Sequence, residues 1–457
     1  MASVTFFLNR LVWGPGLVAA MLGVGLFLSV RTGSAQITLF PAALRRFFAA
    51  FRDPGEGEGE PPFRALCTAL AATVGTGNLV GVAGAIALGG PGAIFWMWVC
   101  GLVGMATKFA EAALAIRFRE CRAGEYLGGP MYMIRHGLGR RWQWLGGVYA
   151  FFGIFAAFGV GNATQINAVV TGLNQILPFE ESRAGNLILG LLLAVLVGAV
   201  LLGGAKRIGA AAEMLVPFAS IVYLLLAFGV LILRFDAVPA AFAAILRGAF
   251  EPEAVTGGMV GSFFAALRTG VSRGVFTNEA GMGTASIAHA AARVSHPAEQ
   301  GLLGIVEVFL DTIVICTMTA LVILCSGVPI PYGTDAGGTL TAAAFSAVYG
   351  GWVRLLLTGC ICCFAFATVL GWDLYGARCA QYLLEAEAYK PFAWLQTFAV
   401  ILGAVLDTGV VWSLAETANG LMAVPNLIAL VMLSPVLSRL TKEFKSIMRR
   451  SCRRRYL

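Results

Sequence analysis

The chain has 457 residues, 58% hydrophobic and only 12% charged, with a formal net charge of +8 and a mean hydropathy of +0.81. Soluble domains carry about 25% charged residues, so this composition excludes an ordinary water-soluble enzyme or binding module. The ten cysteines mostly lie in apolar runs, and Cys360-Ile361-Cys362-Cys363 lacks a second ligand pair at zinc spacing, so they read as small packing residues.

Apolar segments follow one another at 11–30, 66–88, 92–117, 143–172, 184–203, 209–234, 256–290, 300–326, 350–383, 393–412 and 415–438, eleven in all. Most approach the length that crosses a hydrocarbon core of about 30 Å, which predicts an all-α polytopic membrane protein. The first, Trp13 to Val30, lacks a basic leader and a small-residue cleavage site, so it reads as a retained helix. The second is interrupted by AATVGTGNLVGV at 71–82, where Gly75, Gly77 and Gly81 surround Thr76 and Asn78. Glycine is a poor helix former, and Thr and Asn compete for backbone hydrogen bonds. The segment at 256–290 is too polar for one ordinary helix and contains RTGVSRGVFTNEAGMGTAS at 268–286.

Arginine and lysine set the expected orientation. With the 31–64 connection inside, alternation leaves 24 basic residues on inside segments, eight of them in the tail from Arg439 to Arg455, against five outside. That bias predicts an outside N-terminus, a cytoplasmic C-terminus and a place in the cell (inner) membrane. The terminal RRSCRRRY then meets anionic lipid, and nucleic acid is not an expected partner.

One leading helix and ten more divide as residues 1–64 (extra helix and connection), 65–235 (first five), 236–440 (second five) and 441–457 (basic tail). Five is odd, so the second five run opposite to the first. Inverted repeats of this kind are a transporter plan whose sequence pointer is an interrupted helix in the matching slot of each half. Both breaks occupy that slot. Freed carbonyls there are hard ligands for a small cation, and freed amides suit an anion. Packing through small residues is the alternative for the glycines. Gly75-Thr76-Gly77 with Gly81 is not a dinucleotide fingerprint, because the third glycine is one residue late and no strand–helix–strand context surrounds it.

TALAATVGTGNLVGVAGAIALGGPGAIFWMW at 68–98, GMATKFAE at 104–111, GGPMYMI at 128–134, GVSRGVFTNEAGMGTASIAHA at 270–290 and GWDLYGARCAQYL at 371–383 resemble the alanine or glycine:cation symporters, also called sodium:alanine symporters. The resemblance covers about 60–440 and implies the amino acid–polyamine–cation superfamily, with the leucine-transporter 5+5 inverted repeat plus one N-terminal helix. It further implies that Thr76, Gly77 and Asn78 hold a substrate carboxylate, and that Ala71 and Val74 carbonyls, with Ala365 and Thr368, bind the coupling sodium. Gln165 would meet the ammonium beside carbonyls near Gly274, Val275 and Phe276, while Phe276 and Trp372 would leave room for little beyond a methyl group. For Asn162, Thr164 and Gln165 helix packing is the alternative.

Charges inside spans are costly and are usually paired or functional. Lys108 and Glu111, three apart on one helical face, are expected to pair. Arg273 and Glu279 read as a pair across the second break or as a gate contact. Glu307 and Asp311, four apart, receive no role. Asp373 reads as a site or gate residue, and of His136, His289 and His296 only His289 falls near a pathway. The expected function is sodium-coupled import of alanine or glycine by alternating access. Proton coupling and a cation channel built on unwound carbonyls are alternatives. No HExxH, GxSxG or paired-carboxylate set points to an enzyme.

Overall fold

The computed structural model describes residues 12–52, 59–122, 124–174, 176, 182–260, 262–334, 337–406 and 409–454. Arg10 and most of the acidic GEGEGE run lie outside these residues, as does the end of the basic tail.

The leading span is α1 (Pro15–Thr32), begun by Pro15 in its first turn and closed by left-handed Gly33, whose N–H reaches Ser29 and Val30 carbonyls. A short amphipathic helix, α2 (Phe40–Ala50), follows. Next come α3 (Pro62–Thr73) and, after a 50° bend, a π-helical turn at Gly77–Gly81 running into α4 (Val82–Gly89). Then come α5 (Ala93–Arg117), a hairpin of β1 (Glu120–Arg122) and β2 (Glu125–Leu127), and α6 (Gln143–Phe158). A second π-helical turn, Gly159–Ala163, joins α6 to α7 (Thr164–Asn174). The first half ends with α8 (Arg183–Leu201) and α9 (Gly204–Leu233).

After α10 (Val238–Gly248), the second half opens with α11 (Phe263–Asn278) and α12 (Thr284–His289). It continues through α13 (Pro297–Val308), a π-helical stretch at Phe309–Cys316, and α14 (Thr317–Cys325). The connection that follows carries α15 (Gly337–Tyr349), and α16 (Val353–Leu384), α17 (Tyr389–Val405) and α18 (Gly409–Arg454) complete the chain. The basic residues from Lys442 to Arg454 continue α18 rather than forming a separate tail.

Among the described residues, eight helices are long and apolar enough to cross a membrane, and the bent α3–α4 pair makes a ninth. The pair α11–α12 is polar and the 17-residue α17 is short; with these two the candidates reach the expected eleven. The hairpin and α15 fall between the apolar segments read from the sequence. Arg119 stacks over the Tyr126 ring at 3.8 Å, which fixes the hairpin against the end of α5.

Lipid-facing positions explain the composition. Leu192, Val195 and Leu196 on α8, with Phe218, Leu225 and Phe228 on α9, are exposed, because in a bilayer the apolar side chain is the solvated one. The inner helices split into two packed groups. In one, α5 lies along both α11 and α13; in the other, α16 and α18 lie along α6, and α8 lies along α17. The two breaks fall where these groups meet.

Candidate functional site

A cavity of about 60 Å³ sits at the first break. Ala72, Thr73, Gly75, Thr76, Gly77, Val80 and Gly81 line one wall. Facing them are Val160 and Gln165 of α6–α7, Arg273, Phe276, Thr277 and Glu279 of the second break, Thr368 and Trp372 of α16, and Asn419 of α18. Thr76 and Val80 also line a larger cavity, about 540 Å³, that runs toward α15.

The break follows from a strict account of backbone hydrogen bonds. Val74 takes an extended conformation (ψ 99°) while its N–H still donates to Leu70 O at 2.7 Å. In a continuous helix Gly75 N–H would bond Ala71 O. Instead it donates to Asn78 Oδ1 at 2.9 Å, and Ala71 O accepts the Thr368 hydroxyl at 2.9 Å. Two groups that lose each other in this way both find side-chain partners, as buried backbone groups must. The turn beyond is π-helical, a geometry common at functional sites. Thr76 Oγ1 donates to Gln165 Oε1 at 3.1 Å, and Gln165 Nε2 in turn donates to Val160 O at 3.2 Å. The pocket wall formed by Trp372 depends on Gly161, since a Cβ there would lie 2.2 Å from Trp372 Cβ.

The structure therefore brings Thr76, Gly77, Gln165, Phe276, Thr368 and Trp372 to one cavity. Ala71 joins through Thr368, whereas Val74 and Ala365 are buried and do not line the cavity. Asn78 does not line the cavity. Its side chain is wholly buried, with Nδ2 donating to Asp311 Oδ1 at 2.6 Å and to Asp311 O at 3.2 Å. It shapes the break instead of facing into it.

The second break is displaced from its expected position. Residues Gly274, Val275 and Phe276 are helical, the last turns of α11, and the unwound stretch is Glu279–Gly283. The Gly274 carbonyl accepts the Thr277 hydroxyl at 2.9 Å and Val275 O accepts Glu279 N–H at 2.9 Å, so both take part in the closing turn of α11. Glu279 is itself left-handed (φ 52°), as are Gly281 (φ 98°) and Gly283 (φ 81°).

The expected Lys108–Glu111 pair does not form. Lys108 Nζ meets Glu307 Oε1 at 3.0 Å, and Glu307 Oε2 meets His289 Nε2 at 2.8 Å. Both Lys108 and Glu307 are fully buried. Glu111 Oε1 instead accepts Gly281 N–H and Gly283 N–H, each at 3.0 Å, and Asn426 Nδ2 at 2.7 Å. Helical spacing suggests a local pair, but glycine amides from a distant turn offer the carboxylate more donors. His289 thus belongs to a buried ion network. Arg273 and Glu279 both line the cavity, and Glu279 Oε2 accepts the Thr284 hydroxyl at 2.6 Å. Asn162 bonds Gln396 Oε1 at 2.6 Å, so it packs α6–α7 against α17, as one of its two readings held. Asp373 is buried away from the cavity, and neither carboxylate oxygen has a hydrogen-bond partner among the described residues.

Sequence reasoning missed Asn419. It is 1% exposed, lines the cavity, and its Oδ1 has no hydrogen-bond partner among the described residues. The signal was present: Glu416-Thr417-Ala418-Asn419 is a polar cluster at the head of an apolar run. The walls thus carry amides at the start of a half-helix, a neutral amide pair in Gln165 and Asn419, and a carbonyl–hydroxyl couple at Ala71 and Thr368. Chemically, they fit a small zwitterion beside a monovalent cation.

The sequence profile of the sodium:alanine symporter family matches residues 1–456. The sodium/alanine symporter AgcS of Methanococcus maripaludis is 44% identical over 449 residues, covering 96% of both chains. Two Bacillus subtilis proteins are each 37% identical: the amino-acid carrier protein AlsT, over 93% of this chain and 88% of its own, and the probable sodium/glutamine symporter GlnT, over 95% and 89%. Among solved structures, MhsT in complex with L-phenylalanine superposes with a TM-score of 0.57 at 13% identity, covering 85% of this chain and 99% of its own. That likeness establishes the leucine-transporter type of fold, with the five-plus-five arrangement preceded by α1. The chain is a multi-pass membrane transporter protein and belongs to the sodium:alanine symporter family.

Proposed function

We propose that this protein imports a small neutral amino acid, alanine or glycine, by symport with sodium. The observation that carries the reading is the cavity at the first break. Thr76 and Gly77 begin a half-helix whose amides suit a carboxylate, and the unpartnered Asn419 Oδ1, with Gln165, offers uncharged oxygen to an ammonium group. Sodium would be held by the Ala71 and Val74 carbonyls with Ala365 and Thr368. The 2.9 Å contact of Thr368 with Ala71 O supports that set, because it joins the two helices such an ion would bridge. Phe276, Trp372 and a volume of about 60 Å³ favour a methyl side chain or none. In this reading Asn78 positions the break, and Arg273 and Glu279 serve as a gate.

Alternating access follows if the group containing α3–α5 and α11–α14 rocks against the other helices. The excess of arginine and lysine on one set of loops supports an outside N-terminus and a cytoplasmic C-terminus. Labelled alanine uptake into proteoliposomes, with and without an inward sodium gradient, tests the proposal. Uptake that ignores the gradient would remove sodium from the mechanism, and absence of uptake for every small amino acid would remove the substrate class. A second reading, proton coupling, is favoured by Asp373, a buried carboxylate without a partner among the described residues. Uptake driven by an inward proton gradient in sodium-free buffer, and lost in Asp373→Asn, would select it.

A further inference from the structure

We propose that Asp311 is a positioning residue that ties the two broken helices into one mechanical unit. A continuous line of hydrogen bonds runs from the backbone of one break to the backbone of the other. On the first arm, Gly75 N–H donates to Asn78 Oδ1 at 2.9 Å and Asn78 Nδ2 donates to Asp311 Oδ1 at 2.6 Å. On the second, Ala280 N–H donates to Asn278 Oδ1 at 3.0 Å, Asn278 Nδ2 donates to Thr312 Oγ1 at 3.2 Å, and Thr312 Oγ1 donates to Asp311 Oδ2 at 2.8 Å. All four side chains are at most 1% exposed, and none lines the cavity.

The donor directions make the arrangement specific. Every bond on both arms points its hydrogen toward Asp311, whose two carboxyl oxygens can each accept one arm. Asparagine at 311 would turn a donor toward one of them. The residue sits in the π-helical stretch Phe309–Cys316, whose widened turn sets Asp311 against the first break while Thr312 faces the second. Buried polar chains of this kind respond together, because each bond polarises the next and an unpaired member is costly. Gly75 and Ala280 are 205 positions apart in sequence, yet loosening either one frees a donor that the other arm shares through a single carboxylate. The inference deepens the transport reading, in which both breaks move with one helix group, and assigns the residue that holds them in step.

Hydrogen–deuterium exchange of the full-length protein in lipid nanodiscs tests the link without requiring transport. Thr312→Val keeps the side-chain shape but removes the relay hydroxyl of the second arm. It should accelerate exchange at Gly75, across the joint, as well as at Ala280, by about fivefold for the loss of one hydrogen bond. Coupling is reciprocal, so Asn78→Ala should accelerate Ala280 as well as Gly75. Thr312→Ser restores the hydroxyl and should return both sites to their original rates. Acceleration confined to the mutated arm, or Thr312→Ser behaving like Thr312→Val, would overturn the proposal in favour of two independent braces. In proteoliposomes Thr312→Val should lower the maximal uptake rate about fivefold while KM moves less than about twofold, since Thr312 touches no substrate. An unchanged maximal rate, or a change confined to KM, would also overturn it. Should the protein carry no amino acid at all, the functional reading fails and the exchange result still decides the link.

Discussion

The two breaks are built on opposite principles. At the first, Val74 and Gly75 leave the helix and two backbone groups are re-paired by Asn78 and Thr368, while the stretch from Thr76 to Gly77 faces a cavity. At the second, a longer stretch opens through three left-handed residues, and its amides are taken by the protein itself. Gly281 and Gly283 donate to Glu111, Ala280 to Asn278 and Met282 to the Glu279 carbonyl. The comparison teaches that an unwound helix is not by itself a binding site: what matters is whether its donors are already used. In the proposed reading the first break keeps its donors for a ligand, whereas the second uses them on the protein itself.

The comparison breaks hardest at Glu111. Glu111→Leu would strand two glycine amides and Asn426 in a buried site, at about 1–3 kcal/mol for each unpaired group. The melting temperature of detergent-purified protein should fall steeply, with Glu111→Gln falling less because one acceptor oxygen remains. Lys108→Met tests the neighbouring network: it leaves Glu307 without its cation, and removing one partner of a buried ion pair costs about 3–5 kcal/mol. A melting temperature near that of the unmodified protein would show that these groups do not hold the second break.

At the first break the same logic predicts lost function with retained stability. Thr76→Leu fills the cavity and should abolish alanine uptake while changing stability by less than about 1 kcal/mol, since the site is partly open. Gln165→Leu removes one hydrogen bond to Thr76 and one potential contact to the ammonium. It should raise KM by about five- to tenfold, corresponding to about 1 kcal/mol, with the maximal rate nearly unchanged. At the small end, Leu192→Ala on the lipid-facing side of α8 should shift stability by less than about 0.5 kcal/mol and leave uptake intact. A large effect there would mean that the face contacts protein, for instance a second copy.

Much of the architecture was legible in the residues. Apolar runs of membrane length gave the spans, and the glycine-rich interruptions gave both breaks in their matching slots. Thr76, Gly77, Gln165, Thr368 and Trp372, singled out through the family resemblance, line one cavity at the first break. The second break was placed a turn early. GVSRGVF looks helix-breaking by composition, but Gly274 packs tightly against Cys100 and Met97 on α5, so its role is close approach of helices. The actual opening begins at Glu279, a residue with no intrinsic taste for the left-handed conformation that the Thr284 hydroxyl and the glycines beyond it sustain.

The sequence alone therefore determined that this is a membrane transporter chain with two interrupted helices, because solvation by lipid and the backbone's need for hydrogen bonds act on local composition. The partners of the buried polar groups were decided only by the tertiary structure. Asn78 meets Asp311 across 233 positions, Lys108 meets Glu307 across 199, and Glu111 meets Gly281 across 170. Helical periodicity sees only neighbours three or four residues away. For a charge or amide buried in the membrane, the strongest bond available wins over the nearest one, and which bond is available depends on how the two halves pack.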